Sequence, residues 1–125
     1  MKSTPLADVA SRQLDETELF GLLYQPGGAA KAMLTFGDAA HVTTLSPQGL
    51  GYLVCAYGQQ HEQSKDAAEK TKLAATAWDL MQKAIARDKS LAQWFRFLLQ
   101  QDQSSPDNDL ASLKSEEQFK TWATA

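Results

Sequence analysis

The sequence predicts an all-α fold, a compact bundle of five or six amphipathic helices. Two observations carry that expectation. Apolar residues between 65 and 88 recur at helical spacing with polar residues opposite, and helix-start signals recur at Asp15, Ser46, Ser90 and Ser115. An α+β fold is the alternative, because residues 40–58 also read as a β-hairpin.

Asp15-Glu16-Thr17-Glu18 has the form of a capping box, in which a short acceptor and a Glu further on satisfy the first free amides. Leu19, Phe20, Leu22 and Leu23 supply the apolar face, and Pro26-Gly27-Gly28 stops the helix. Ala29 to Leu34 favours helix by propensity, and Gly37-Asp38 breaks it. His41-Val42-Thr43-Thr44-Leu45 has β-branched character, and Leu50 to Tyr57 is rich in strand formers, so Ser46-Pro47-Gln48-Gly49 serves as a hairpin turn in one reading. In the other, Ser46 caps a helix opened by Pro47 and running to about Gly58, with Leu50, Leu53, Val54 and Tyr57 on one face. The Ser-Pro start and that spacing favour the helix.

Between 65 and 88, Ala74, Ala77, Trp78, Met81 and Ile85 form the apolar stripe, with Leu73, Leu80 and Ala84 widening it. Asp79 and Lys83 make an acid-to-base pair one turn apart. Ser90-Leu91-Ala92-Gln93 reads as a second capping box, opening a helix to Gln101 a very short link after the last. Residues 103–109 are the clearest loop, and their Ser-Pro-Asp end resembles a further helix start. Ser115-Glu116-Glu117-Gln118 caps a short final helix carrying Phe119 and Trp122.

A chain of 125 residues with 43% hydrophobic and 22% charged residues reads as one globular domain over 1–125, with 1–12 as a flexible tail. Cys55 is the only cysteine, which rules out an intrachain disulfide and fits a reducing compartment. No apolar segment near the N-terminus has the form of a secretory signal, and no run approaches the ~18 apolar residues of a membrane span. The expected location is the cytoplasm, with no membrane contact. The net charge of −3 is unevenly spread: residues 1–64 and 97–125 each carry −3, and residues 65–96 carry +3. An acidic chain with one mildly basic segment is a poor non-specific binder of nucleic acid.

The helix 90–101 is the most unusual element. Its apolar residues, Trp94 and Phe97 included, spread over an arc of about 200°. That breadth suits a central helix covered on both flanks, and it also suits a helix whose edge meets another chain, since aromatic residues and Arg concentrate at interface hot spots. The expected contact residues are Trp94, Arg96, Phe97, Phe119 and Trp122, and the expected partner is another protein or a second copy.

Lys70, Lys72, Lys83 and Arg87 form the alternative site, a basic face for nucleic acid, diluted by interspersed acids. Cys55, His41 and His61 show neither the spacing of a zinc site nor that of a nucleophile–base pair, and read as a buried small hydrophobe and two surface histidines. Gly27-Gly28 before Lys31 lacks both phosphate-binding glycine patterns, and Asp107 and Asp109 do not match a calcium loop. These absences point to a non-enzymatic module with no metal and no cofactor: an adaptor, an inhibitor or a small subunit of a complex. Residues 46–53, Ser-Pro-Gln-Gly-Leu-Gly-Tyr-Leu, resemble the NGLG segment of the all-helical small subunits of CRISPR Cmr effector complexes. The likeness spans only those residues, lacks the Asn and assigns no family.

Overall fold

The computed structural model describes residues 16–101 and 109–124. The all-α expectation holds: every regular element among the described residues is helical. The helix count exceeds the expected five or six, because 39–44 is a separate helix and a 3-10 turn precedes the last one.

Helix α1 is described over 16–22, with Leu19 and Leu22 turned inward and Phe20 outward. Its cap at Asp15 lies outside the described residues, as do the tail 1–12 and most of the loop 103–109. The chain then reverses at Gly27, whose φ of 70° is the left-handed region that favours glycine. Helix α2 (Gly28–Phe36) starts so close to the Leu22 carbonyl that a side chain at 28 would collide with it. Ala29, Ala32 and Phe36 bury its inner face.

Helix α3 (Ala39–Thr44) replaces the first half of the hairpin alternative. The Asp38 carboxylate explains why a β-branched stretch coils: it accepts from the His41 N–H at 2.8 Å and from His41 Nδ1 at 2.7 Å. Helix α4 (Pro47–Gln63) replaces the second half, with Ser46 Oγ accepting from the Gly49 N–H at 3.1 Å. It runs past Gly58, and the reason lies in packing rather than propensity. Gly51 sits against the Trp94 ring and Gly58 against the carbonyl of Asp109, so both glycines admit a close neighbour without ending the helix. Leu50, Leu53 and Val54 are fully buried there.

Helix α5 (Ala67–Arg87) buries the expected stripe of Leu73, Ala74, Ala77, Leu80, Met81 and Ala84. The link to helix α6 (Leu91–Leu99) departs from the expected Ser90 cap: Ser90 is itself in helical conformation and makes no cap bond. Asp88 takes that task, its Oδ1 accepting from the Ser90 N–H at 3.0 Å and the Ser90 hydroxyl at 2.7 Å. Residues 109–110 turn into a 3-10 segment (Ala111–Ser115), and helix α7 (Glu117–Thr124) follows.

The centre of the molecule is α4, which pairs most extensively with α5 and also receives α2, α6 and the 3-10 segment. Phe36, Phe95, Phe119, Leu53, Met81 and Leu99 meet in its core with almost no solvent exposure. Full burial of each such side chain contributes about 1.5–3 kcal/mol. The wide apolar arc of α6 has the same explanation, since α4, α5, α7 and the 3-10 segment all touch it.

Candidate contact surfaces

The structure does not assemble the five expected contact residues into one surface. Trp94 is half-buried beside Gly51, with its ring 6.3 Å from Tyr52 and 5.1 Å from Phe95. Arg96 points to the opposite side of α6, where its guanidinium lies 4.6 Å above the ring of Trp122. Phe97 stands 47% exposed. Phe119 is fully buried and meets Trp78 edge to face at 5.3 Å, so it supports the surface from beneath and cannot itself touch a partner.

What the fold does bring together is Trp78 from α5 with Trp122 from α7. Glu117, Gln118 and Thr121 complete an apolar depression of about 660 Å³ between them. The stack of Arg96 on Trp122 leaves the Arg96 Nε buried without a hydrogen-bond partner among the described residues, and Gln82 Nε2 is in the same condition. Each such group carries a desolvation cost of about 1–3 kcal/mol. Trp78 escaped selection from sequence because its helical position reads as core stripe, where a bulky ring is expected.

The four basic residues are largely committed to the fold. Lys70 Nζ donates to the His61 carbonyl at 2.5 Å, and Lys83 pairs with Asp79 at 2.9 Å. Arg87 Nη1 donates to the Leu45 carbonyl at 3.1 Å and to that of Val42 at 3.4 Å, closing the end of α3. Lys72 is exposed on α5.

One histidine corrects the expectation of two surface rings. His41 is partly exposed beside Asp38, but His61 is only 1% exposed. Its Nδ1 lies 2.9 Å from Ser112 Oγ and its Nε2 lies 2.8 Å from a Glu116 carboxylate oxygen. The Ser112 hydroxyl also donates to the Gly58 carbonyl at 3.3 Å. The connectivity of a serine, a histidine and an acid is present, yet the ring is sealed from solvent and both nitrogens are engaged in joining α4 to the last two elements. The spacing Leu50, Val54, Gly58, His61 continues one buried face of α4, which is the signal that locates this residue. Cys55 is buried as expected, and burial together with the nearby charge of Asp109 pushes its thiol well above the usual range.

A second surface has no counterpart in the expectations from sequence. Tyr24, Phe20, Tyr52 and Trp94 form a row of rings with successive centroids 5.2, 5.0 and 6.3 Å apart. Phe20 is 42% exposed and Tyr24 71%. The row spans the end of α1, α4 and α6, so only the tertiary fold reveals it.

No family model, no curated protein and no solved structure matches this chain. What fold and surfaces define is a class: an all-α protein with two aromatic clusters at its surface that share no residue, Trp78 with Trp122 and Phe20, Tyr24 and Tyr52 with Trp94. No helix among the described residues is long and apolar enough to cross a membrane, and no group of three or more His, Cys, Asp or Glu among them is arranged to hold a metal.

Proposed function

We propose that this chain is a non-enzymatic interaction module, an adaptor, inhibitor or small subunit, whose partner protein docks on the Trp78–Trp122 depression. The observation that carries the reading is the depression itself: two half-buried tryptophans wall about 660 Å³, with an arginine stacked on the rim of one. Tryptophan and arginine are enriched among the few residues that dominate binding energy at protein interfaces, the indole because it buries a large rigid area at little entropic cost and the guanidinium because it stacks and donates several hydrogen bonds. The Glu117 carboxylate at the edge favours a partner that presents an apolar anchor next to a basic residue.

The buried Cys55 thiol suits a reducing compartment, which supports placing the module in the cytoplasm. The nucleic-acid reading draws no comparable support, since Lys70, Lys83 and Arg87 are bonded within the chain. Affinity capture from the native host, compared between the wild-type chain and Thr121→Arg or Trp122→Ala, both at residues that line the depression, tests the proposal. A protein held by the wild type and lost from both variants is the expected result. Capture that persists in both variants contradicts it.

A further inference from the structure

Helix α2 is apolar on both of its faces. Ala29, Ala32 and Phe36 point inward, and the residues it leaves exposed are Ala30, Lys31 and Leu34. Ala30 and Leu34 stand one turn apart, so they form an outward apolar stripe with Lys31 as its polar neighbour. Leu34 is 86% exposed, the most open large apolar side chain among the described residues. A lone exposed leucine is ordinary, but a helix that is hydrophobic all round belongs in an interior. The Trp78–Trp122 depression is the complementary case, a concave apolar surface of about 660 Å³ that neither Ala30 nor Leu34 lines. We infer that the outer face of α2 in one copy of this chain docks in the Trp78–Trp122 depression of a second copy. This rests on the reading of the depression as a docking surface and names its occupant.

Shape and charge select the second copy. A helix that presents apolar anchors at i and i+4 is a common guest of an apolar groove. Here Leu34 supplies the bulk, and the small Ala30 lets the helix approach the rim. Lys31 makes no ion pair among the described residues, and Glu117 is exposed at the edge of the depression. Such an exposed pair adds little affinity, but it fixes the direction in which the helix lies. Asp38, one turn beyond Leu34, directs its carboxylate to the His41 N–H and ring. The other exposed apolar side chains suit the depression less well. Phe20 and Tyr24 follow Glu16 and Glu18 on α1, so that helix would bring carboxylates against Glu117. Phe97 stands beside Arg96, whose guanidinium is already stacked on Trp122.

Because the two surfaces share no residue, the contact is heterologous. Each copy that docks keeps its own depression open, and association runs head to tail into a ring or an open chain. A nine-residue helix face makes an interface at the small, weak end of protein contacts, so the assembly dissociates on dilution.

Analytical ultracentrifugation of the full chain at low salt, from micromolar to millimolar concentration, tests this. The expected result is reversible growth past the dimer. Leu34→Gln keeps a good helix former at an exposed position, and Thr121→Arg fills the depression from an exposed one, so neither disturbs the core. Each alone is expected to weaken association about tenfold or more, the loss due when a leucine no longer finds its apolar site. An equimolar mixture of the two is expected to recover dimers and stop there, since one variant keeps the depression and the other keeps the α2 face. Lys31→Glu is expected to weaken association about fivefold, and adding Glu117→Lys to the same chain restores it. A wild type that stays monomeric, undiminished association in Leu34→Gln or Thr121→Arg, a mixture that stays monomeric, or a charge swap that restores nothing overturns the inference. A monomeric wild type that still captures a different protein, lost in Trp122→Ala, overturns this inference and leaves the docking reading standing.

Discussion

At the scale of single residues, Cys55 and His61 show what burial does to reactive side chains. Burial holds the Cys55 thiol protonated. A thiol reagent therefore modifies the native protein only as fast as it opens, and rapid stoichiometric labelling of the folded chain contradicts this. The same shift sets a pH dependence: a raised thiol pKa contributes stability that is complete below the ordinary thiol range and is lost as pH climbs through it. A Cys55→Ala variant is expected to lose less stability on alkaline titration than the wild type. His61 is buried between two polar partners, and removing its ring takes one hydrogen bond from each, although Ser112 keeps its bond to the Gly58 carbonyl. His61→Ala is expected to cost about 1–3 kcal/mol in urea unfolding. Glu116 is 22% exposed and water replaces part of what it loses, so Glu116→Gln is expected to cost less. An unchanged midpoint for His61→Ala contradicts the role of this ring as a clasp.

At the scale of elements, α4 shows how much of the fold was legible and where legibility stopped. The Ser46-Pro47 start and the Leu50, Leu53, Val54 face were readable, because cap chemistry and helical period are local. The end at Gly58 was not, because that glycine answers to the backbone of Asp109, distant in sequence. Ser90 misled for a similar reason: its neighbour Asp88 makes the competing local bonds. A methyl group at Gly51 would stand 2.5 Å from the Trp94 ring. Gly51→Ala is accordingly expected to destabilise by about 1–3 kcal/mol despite the better helix propensity of alanine. A stabilised Gly51→Ala variant, measured by thermal melting, contradicts the close packing of α4 on α6.

At the scale of the whole molecule, the five contact residues expected from sequence do not stay together: Arg96 and Trp122 share one face, Trp94 lies in the other aromatic cluster, Phe119 is in the core, and Phe97 stands exposed and lines neither depression. Helical projection places Trp94 and Arg96 far apart, but only packing shows that Arg96 meets Trp122 while Trp94 joins Tyr52 and Phe20. Phe119 and Trp122 look alike in sequence, yet one closes the core and the other walls a depression. Phe119→Ala is therefore expected to cost about 3–5 kcal/mol of stability, as other core aromatic truncations do. The central claim is that Trp122 belongs to a contact surface separable from the core, and the most direct measurement compares helicity, melting and partner capture of Trp122→Ala with the wild type. Unchanged far-ultraviolet circular dichroism and a cooperative melt, together with lost capture, are the predicted result. A Trp122→Ala chain that loses its helicity, or that captures the partner as well as the wild type, contradicts it.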